Sequence, residues 1–218
     1  MWMIVPVFIT FKIPNVAAAG IMLVSMFLQL MVAVLKGWFR IPIKRTIVCS
    51  WTAILILPAT ILGMLYSFHL LEQYQEDRIR SFLAGTGEGS FLTGRIRTLL
   101  TKAQWWGCSD AQVIGNLPEF NRDYIFTYVI TTYGGLIGLL IIVVLVALIL
   151  SVFSIAFKQK NELGLVMGVG CGSLLLVNLG VNVLGAIGAI PPVSSFLPFF
   201  SLGRDNVLLS YVLVGIVM

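Results

Sequence analysis

Asp123 stands where a polar stretch of the chain turns into a long apolar run. A carboxylate in that place has two roles open to it. It can sit at the N-cap or in the first turn of a helix, where orphan N–H groups and the helix dipole favour negative charge. It can also act as a general base at a membrane surface, because an ionisable group at a membrane helix end facing a cavity is a functional candidate by default. Position alone favours the cap. Upstream lie Arg78, Arg80, Arg95, Arg97 and Lys102. These suit solvated or headgroup-facing charges; the sharper reading is a pyrophosphate clamp, since arginine offers phosphate oxygens a planar fork of donors. Trp105 and Trp106 suit an interfacial anchor better than a sugar platform. His69 has no neighbours at metal-ligand spacing. Cys49 and Cys171 lie in or beside apolar runs and Cys108 in a polar loop, which is no disulfide framework.

The elements that position these residues follow from hydropathy. Apolar residues make up 59% of the 218 and charged residues 11%, against ~25% charged in a soluble domain. Mean hydropathy is +1.01. No soluble fold of this size hides so much apolar surface, so the chain reads as a single all-α membrane domain over 1–218, a polytopic helix bundle. About six hydrophobic segments are expected: 1–11, 16–35, 46–70, 124–157, 163–184 and 206–218. The first reaches only ~16 Å of helix and the last ~20 Å, short of the ~30 Å hydrocarbon core, which predicts that other helices complete the bundle and that the chain alone is unstable in a bilayer. The fourth is too long for one straight crossing and predicts a tilted or projecting helix. Clusters at Gly134–Gly135 and Gly168-x-Gly170-x-Gly172 are expected to let helices pack closely. No internal repeat is present, and no cleaved signal peptide is expected, since a basic start and a small-residue cleavage site are both missing.

Charge sets the orientation. Lys36, Arg40, Lys44 and Arg45 fill one short loop, and Lys158 and Lys160 another, opposed only by Glu162. Both fall on the same side, which the positive-inside rule places in the cytoplasm. The outer loop, about 71–123, carries six basic and seven acidic residues and lies outside, as does a second outer loop at about 185–205. An impermeant thiol reagent on intact cells should therefore label Cys108, while a cysteine placed at Lys44 should react only after permeabilisation. The reverse pattern, with Cys108 reactive in permeabilised cells, would overturn this topology.

Three motifs resemble one family, the SEDS proteins (shape, elongation, division, sporulation) of the RodA/FtsW/SpoVE group. Its Pro-Glu-x-x-x-Asp-(Phe/Tyr)-Ile-Phe is similar to Pro118–Phe126, which contains Glu119 and Asp123. Its Arg-Ile-x-x-Phe is similar to Arg78, Ile79 and Phe82. Its Asn…Gly…Pro…Leu-Pro-Phe-x-Ser-x-Gly resembles Asn182, Gly188, Pro191, Leu197, Pro198, Phe199, Ser201 and Gly203 without a gap. Ile13-Pro14-Asn15 stands where the family has Gln-Pro-Asp, and Ser201-Leu202-Gly203-Arg204-Asp205 where it has Ser-Tyr-Gly-Gly-Ser. The resemblance covers nearly the whole chain and lacks the family's N-terminal helices.

The resemblance implies a peptidoglycan glycosyltransferase that polymerises lipid II at the outer face of the cytoplasmic membrane, in cell division or cell shape. It implies Asp123 as the catalytic base, and Arg78, Glu119, Asn182, Pro198 and Ser201 as substrate-binding positions. It implies no cofactor, with room for a divalent cation, and as partners the lipid-linked glycan, the membrane and a penicillin-binding transpeptidase; nucleic acid is not expected. The alternative is a truncated, non-catalytic SEDS-like protein that acts through such a partner. A flippase or transporter would more naturally carry ionisable residues at mid-membrane, and the apolar spans show none.

Overall fold

The computed structural model describes residues 16–37, 94–96, 98–101, 103–106, 124–190 and 195–218. Among them run five helices: α1 Val16–Leu35, α2 Ile125–Tyr133, α3 Gly135–Lys158, α4 Glu162–Ala186 and α5 Arg204–Val217. No strand occurs among the described residues. The expected segments 1–11 and 46–70 lie outside them.

Three helices are long and apolar enough to cross a membrane: Ala18–Leu35, Gly135–Lys158 and Glu162–Ala186. Together with the family assignment reached below, they make the chain a multi-pass helical protein of the cell membrane. α4 is the hub, packing against all four other helices. Over half of its span (56%) is buried, against 28% for α1 and for α3. The difference follows from composition. α4 carries Gly168, Gly170 and Gly172 on buried turns, so neighbours approach its backbone. A Cβ at Gly168 would stand 2.6 Å from the Ala156 Cβ of α3, and one at Gly170 would stand 2.5 Å from the Gln29 Nε2 of α1. Small residues at such contacts are what holds helices together in lipid, where no hydrophobic effect drives them into contact.

α3 instead shows two faces. Leu145, Ile149, Val152 and Ala156 are buried at helical spacing against α4. Leu139, Leu140, Val143, Val144 and Leu150 are exposed, the side that lipid solvates. The core is completed by Leu175 and Leu179 of α4 and Leu213 and Val217 of α5.

The long segment 124–157 is not one helix. It breaks at Gly134, where φ is +101° and ψ 160°, a region that only glycine visits freely. The expected role of Gly134 in close packing inside a helix is thereby corrected, because Gly134 lies between helices. Without the preceding turn, the first N–H groups of α3 lose their intrahelical acceptors. The stretch ahead of α2 supplies replacements: Gly135 N donates to Gln104 O (3.0 Å) and Leu136 N to Trp105 O (3.4 Å). Gly138 lets α2 fold onto the start of α3, since a Cβ there would meet Ile130 Cγ1 at 2.7 Å.

Part of the stretch ahead of α2 is itself secondary structure. Residues 94–96 and 98–101 are helical, with Ile96 and Leu99 buried.

Candidate functional site at the outer end of the bundle

On the orientation expected from the charge pattern, which puts Lys158 and Lys160 in the cytoplasm, the C-terminal end of α4 is its outer end. Two polar features meet there. The first is α2. Its Thr127 hydroxyl donates to the Ala186 carbonyl of α4 (3.0 Å). Helix ends leave their last carbonyls without intrahelical donors, and Thr127, itself fully buried, satisfies one of them. Thr131 Oγ1, also buried, donates back to Thr127 O (2.8 Å) within α2.

The second feature is the loop between α4 and α5. Asn182, 1% exposed, donates through Nδ2 to Ser195 O (2.8 Å). Ser201 accepts from Leu197 N at its Oγ (2.7 Å), while Phe200 N and Ser201 N donate to Leu197 O (3.2 and 3.1 Å). Leu197 and Pro198 are fully buried. The turn forces Phe199 into a left-handed backbone (φ +66°), which a bulky residue rarely adopts. Two contacts hold it there. Its N–H donates to Ser210 Oγ of α5 (3.4 Å), and its ring meets Tyr211 edge-to-face at 5.2 Å.

The positions named from sequence therefore divide in two. Asn182, Pro198 and Ser201 come together at the outer end of α4, with their side chains turned into the protein. There they hold the shape of the loop. Arg78, Glu119 and Asp123 lie outside the described residues. Asp123 adjoins Tyr124, which is buried and is the N-cap residue of α2, with no side-chain cap bond.

Thr127, Ser195 and Ser210 were not singled out from sequence. Thr127 and Thr131 carry a usable signal, two hydroxyls at i, i+4 on an apolar helix that needs none for solubility. Ser195 and Ser210 carry none, because their partners are far along the chain.

Positions where the 201–205 run departs from its family pattern behave differently. Leu202, Arg204 and Asp205 are exposed at the start of α5, with Asp205 in the first turn, where the helix dipole favours an acid. The retained positions make the loop's internal bonds, so the loop keeps its framework through these changes.

Comparison with known proteins agrees with this layout. The chain matches the FtsW/RodA/SpoVE family, described as "Cell cycle protein", over residues 1–218. It is 29% identical over 189 residues to "Probable peptidoglycan glycosyltransferase FtsW" of Enterococcus hirae, covering 82% of this chain and 48% of that one. It is 27% identical over 163 residues to "Peptidoglycan glycosyltransferase MrdB" of Helicobacter pylori strain 26695, covering 69% and 40% respectively. An FtsW of the same description from Borreliella burgdorferi is 26% identical over 176 residues, covering 77% and 48%. The chain spans about half the length, or less, of these curated relatives. A family match from the first residue to the last, on a bundle whose outer end gathers the family's loop residues, assigns the chain to the FtsW/RodA/SpoVE family.

Proposed function

We propose that the chain carries the outer-face site of a peptidoglycan glycosyltransferase acting on lipid-linked disaccharide. The observation that supports this most is the Thr127–Ala186 hydrogen bond. It ties α2, the helix that begins two residues after Asp123, to the end of α4 where Asn182 holds the Pro198–Ser201 loop. Residues from two separate outer loops thereby border one region at the membrane surface. The names of the relatives supply the reaction class.

In the proposed step Asp123 takes the proton from the acceptor sugar's hydroxyl. The oxygen attacks the anomeric carbon of the growing glycan, a new glycosidic bond forms with inversion, and the bond to the lipid pyrophosphate breaks. The bonding pair leaves with the pyrophosphate, whose developing charge Arg78 stabilises. Glu119, one turn's length of sequence before Asp123, contacts the acceptor. The loop held by Asn182 and Ser201, with Pro198 buried in it, walls the sugar site. The step needs no organic cofactor. A penicillin-binding transpeptidase that cross-links the emerging strand is the proposed partner.

The test is glycan-chain formation from purified lipid II by the protein reconstituted in liposomes, with the transpeptidase present and absent. Polymer formed in either condition supports the reading. Absence of polymer in both, from protein of correct topology and helix content, would move the assignment to a non-catalytic partner-binding role.

A further inference from the structure

Trp105 and Trp106 are exposed, at 71% and 79% of their surface, yet the backbone beneath them is fixed. Gln104 O and Trp105 O accept from the first two N–H groups of α3, and the Trp105 ring edge lies 3.6 Å from where a Gly135 Cβ would stand. Residues 104–105 are therefore docked on the N-terminal tip of α3.

The depth of that tip follows from length and charge. α3 is 24 residues long, ~36 Å of helix against a hydrocarbon core of ~30 Å. Its other end carries Lys158, on the cytoplasmic side. The tip then lies at the outer boundary of the hydrocarbon, and Leu139, Leu140 and Val143, about one to two turns deeper, are exposed apolar residues on the lipid face. Two uncovered indoles at this level have one end apolar and one N–H donor, the combination that the headgroup–acyl boundary accommodates.

We propose that Trp105 and Trp106 insert into the outer-leaflet interface and anchor the long outer loop to the bilayer at the α2–α3 break. The partner is a lipid surface, not a sugar and not another protein. This anchor does not depend on the glycosyltransferase reading. It sets the height at which the outer loop crosses the membrane surface whatever chemistry the loop performs.

The experiment uses tryptophan emission in phosphatidylglycerol–phosphatidylethanolamine liposomes. The chain has five tryptophans, so the pair is isolated as the component lost in the W105F/W106F variant. Both side chains are exposed, and circular dichroism should show equal helix content in the two proteins. The lost component is expected at short wavelength, quenched roughly twofold or more better by lipids brominated near the headgroup than by lipids brominated at the chain end, and shielded from aqueous iodide. A component quenched by iodide at least as well as by any brominated lipid would overturn the proposal. If N-acetylglucosamine oligosaccharide then relieved that iodide quenching, the pair would be a sugar platform instead. The single variants W105F and W106F give the same reading should the double variant fold poorly.

Discussion

Replacing Asp123 by Asn should abolish glycan polymerisation, lowering the rate at least ~100-fold, while the protein remains folded in the membrane. The amide is nearly isosteric with the carboxylate but cannot take a proton from the acceptor hydroxyl. A general base contributes roughly 10²–10⁴-fold, so its loss should be read directly in the rate. A purely structural Asp123 predicts the opposite outcome. Asn and Asp cap helices about equally well, and α2 already takes Tyr124 as its N-cap residue. Neither view of helix capping therefore leads to a folding defect. The measurement is the initial rate of chain growth from purified lipid II, with thermal stability and membrane insertion followed in parallel. Activity near that of the unsubstituted protein would remove Asp123 from the catalytic role. A protein that loses activity together with its folded state would require Asp123→Glu, which keeps the basicity, to recover measurable rate.

The second large effect is expected at Gly134. Its backbone conformation is open to glycine and costs other residues about 1–3 kcal/mol. A Cβ would also stand 2.7 Å from Trp105 O, and this neighbour is a backbone carbonyl that already accepts from Leu136 N. The carbonyl cannot turn aside without releasing that bond. Overpacking of this kind adds about 1–3 kcal/mol. Gly134→Ala should therefore destabilise the protein by about 2–6 kcal/mol in a denaturation series. It should also raise the hydrogen-exchange rate of the Gly135 and Leu136 amides, which lose their acceptors first. Gly180, where a Cβ would meet nothing within 4 Å, is the control: Gly180→Ala should leave both readouts near their starting values. Equal stability of the Gly134 and Gly180 variants would show that the break between α2 and α3 does not rest on the docked loop.

Hydropathy alone set out two of the membrane-crossing helices. The apolar run 16–35 became α1 residue for residue, and 163–184 became α4 with two residues more at its C-terminal end and one more at its N-terminal end. These boundaries are legible because bilayer thickness imposes a length and every buried backbone group must be satisfied within its own helix. Order and spacing of the loop motifs likewise carried the family, since Asn182, Pro198 and Ser201 keep their separations along the chain.

Only the tertiary structure decided how the outer end is assembled. The break at Gly134 was hidden in an unbroken apolar run, because its cause is a conformation stabilised by carbonyls some thirty residues upstream, at Gln104 and Trp105. The inward orientation of Asn182 and Ser201 was hidden for the same reason. A polar residue in a motif looks the same whether it meets a substrate or the backbone of Ser195 and Leu197. Sequence records which groups can donate and accept; the partner is chosen by packing across distant parts of the chain, where an unpaired polar group in an apolar interior costs too much to leave unmet.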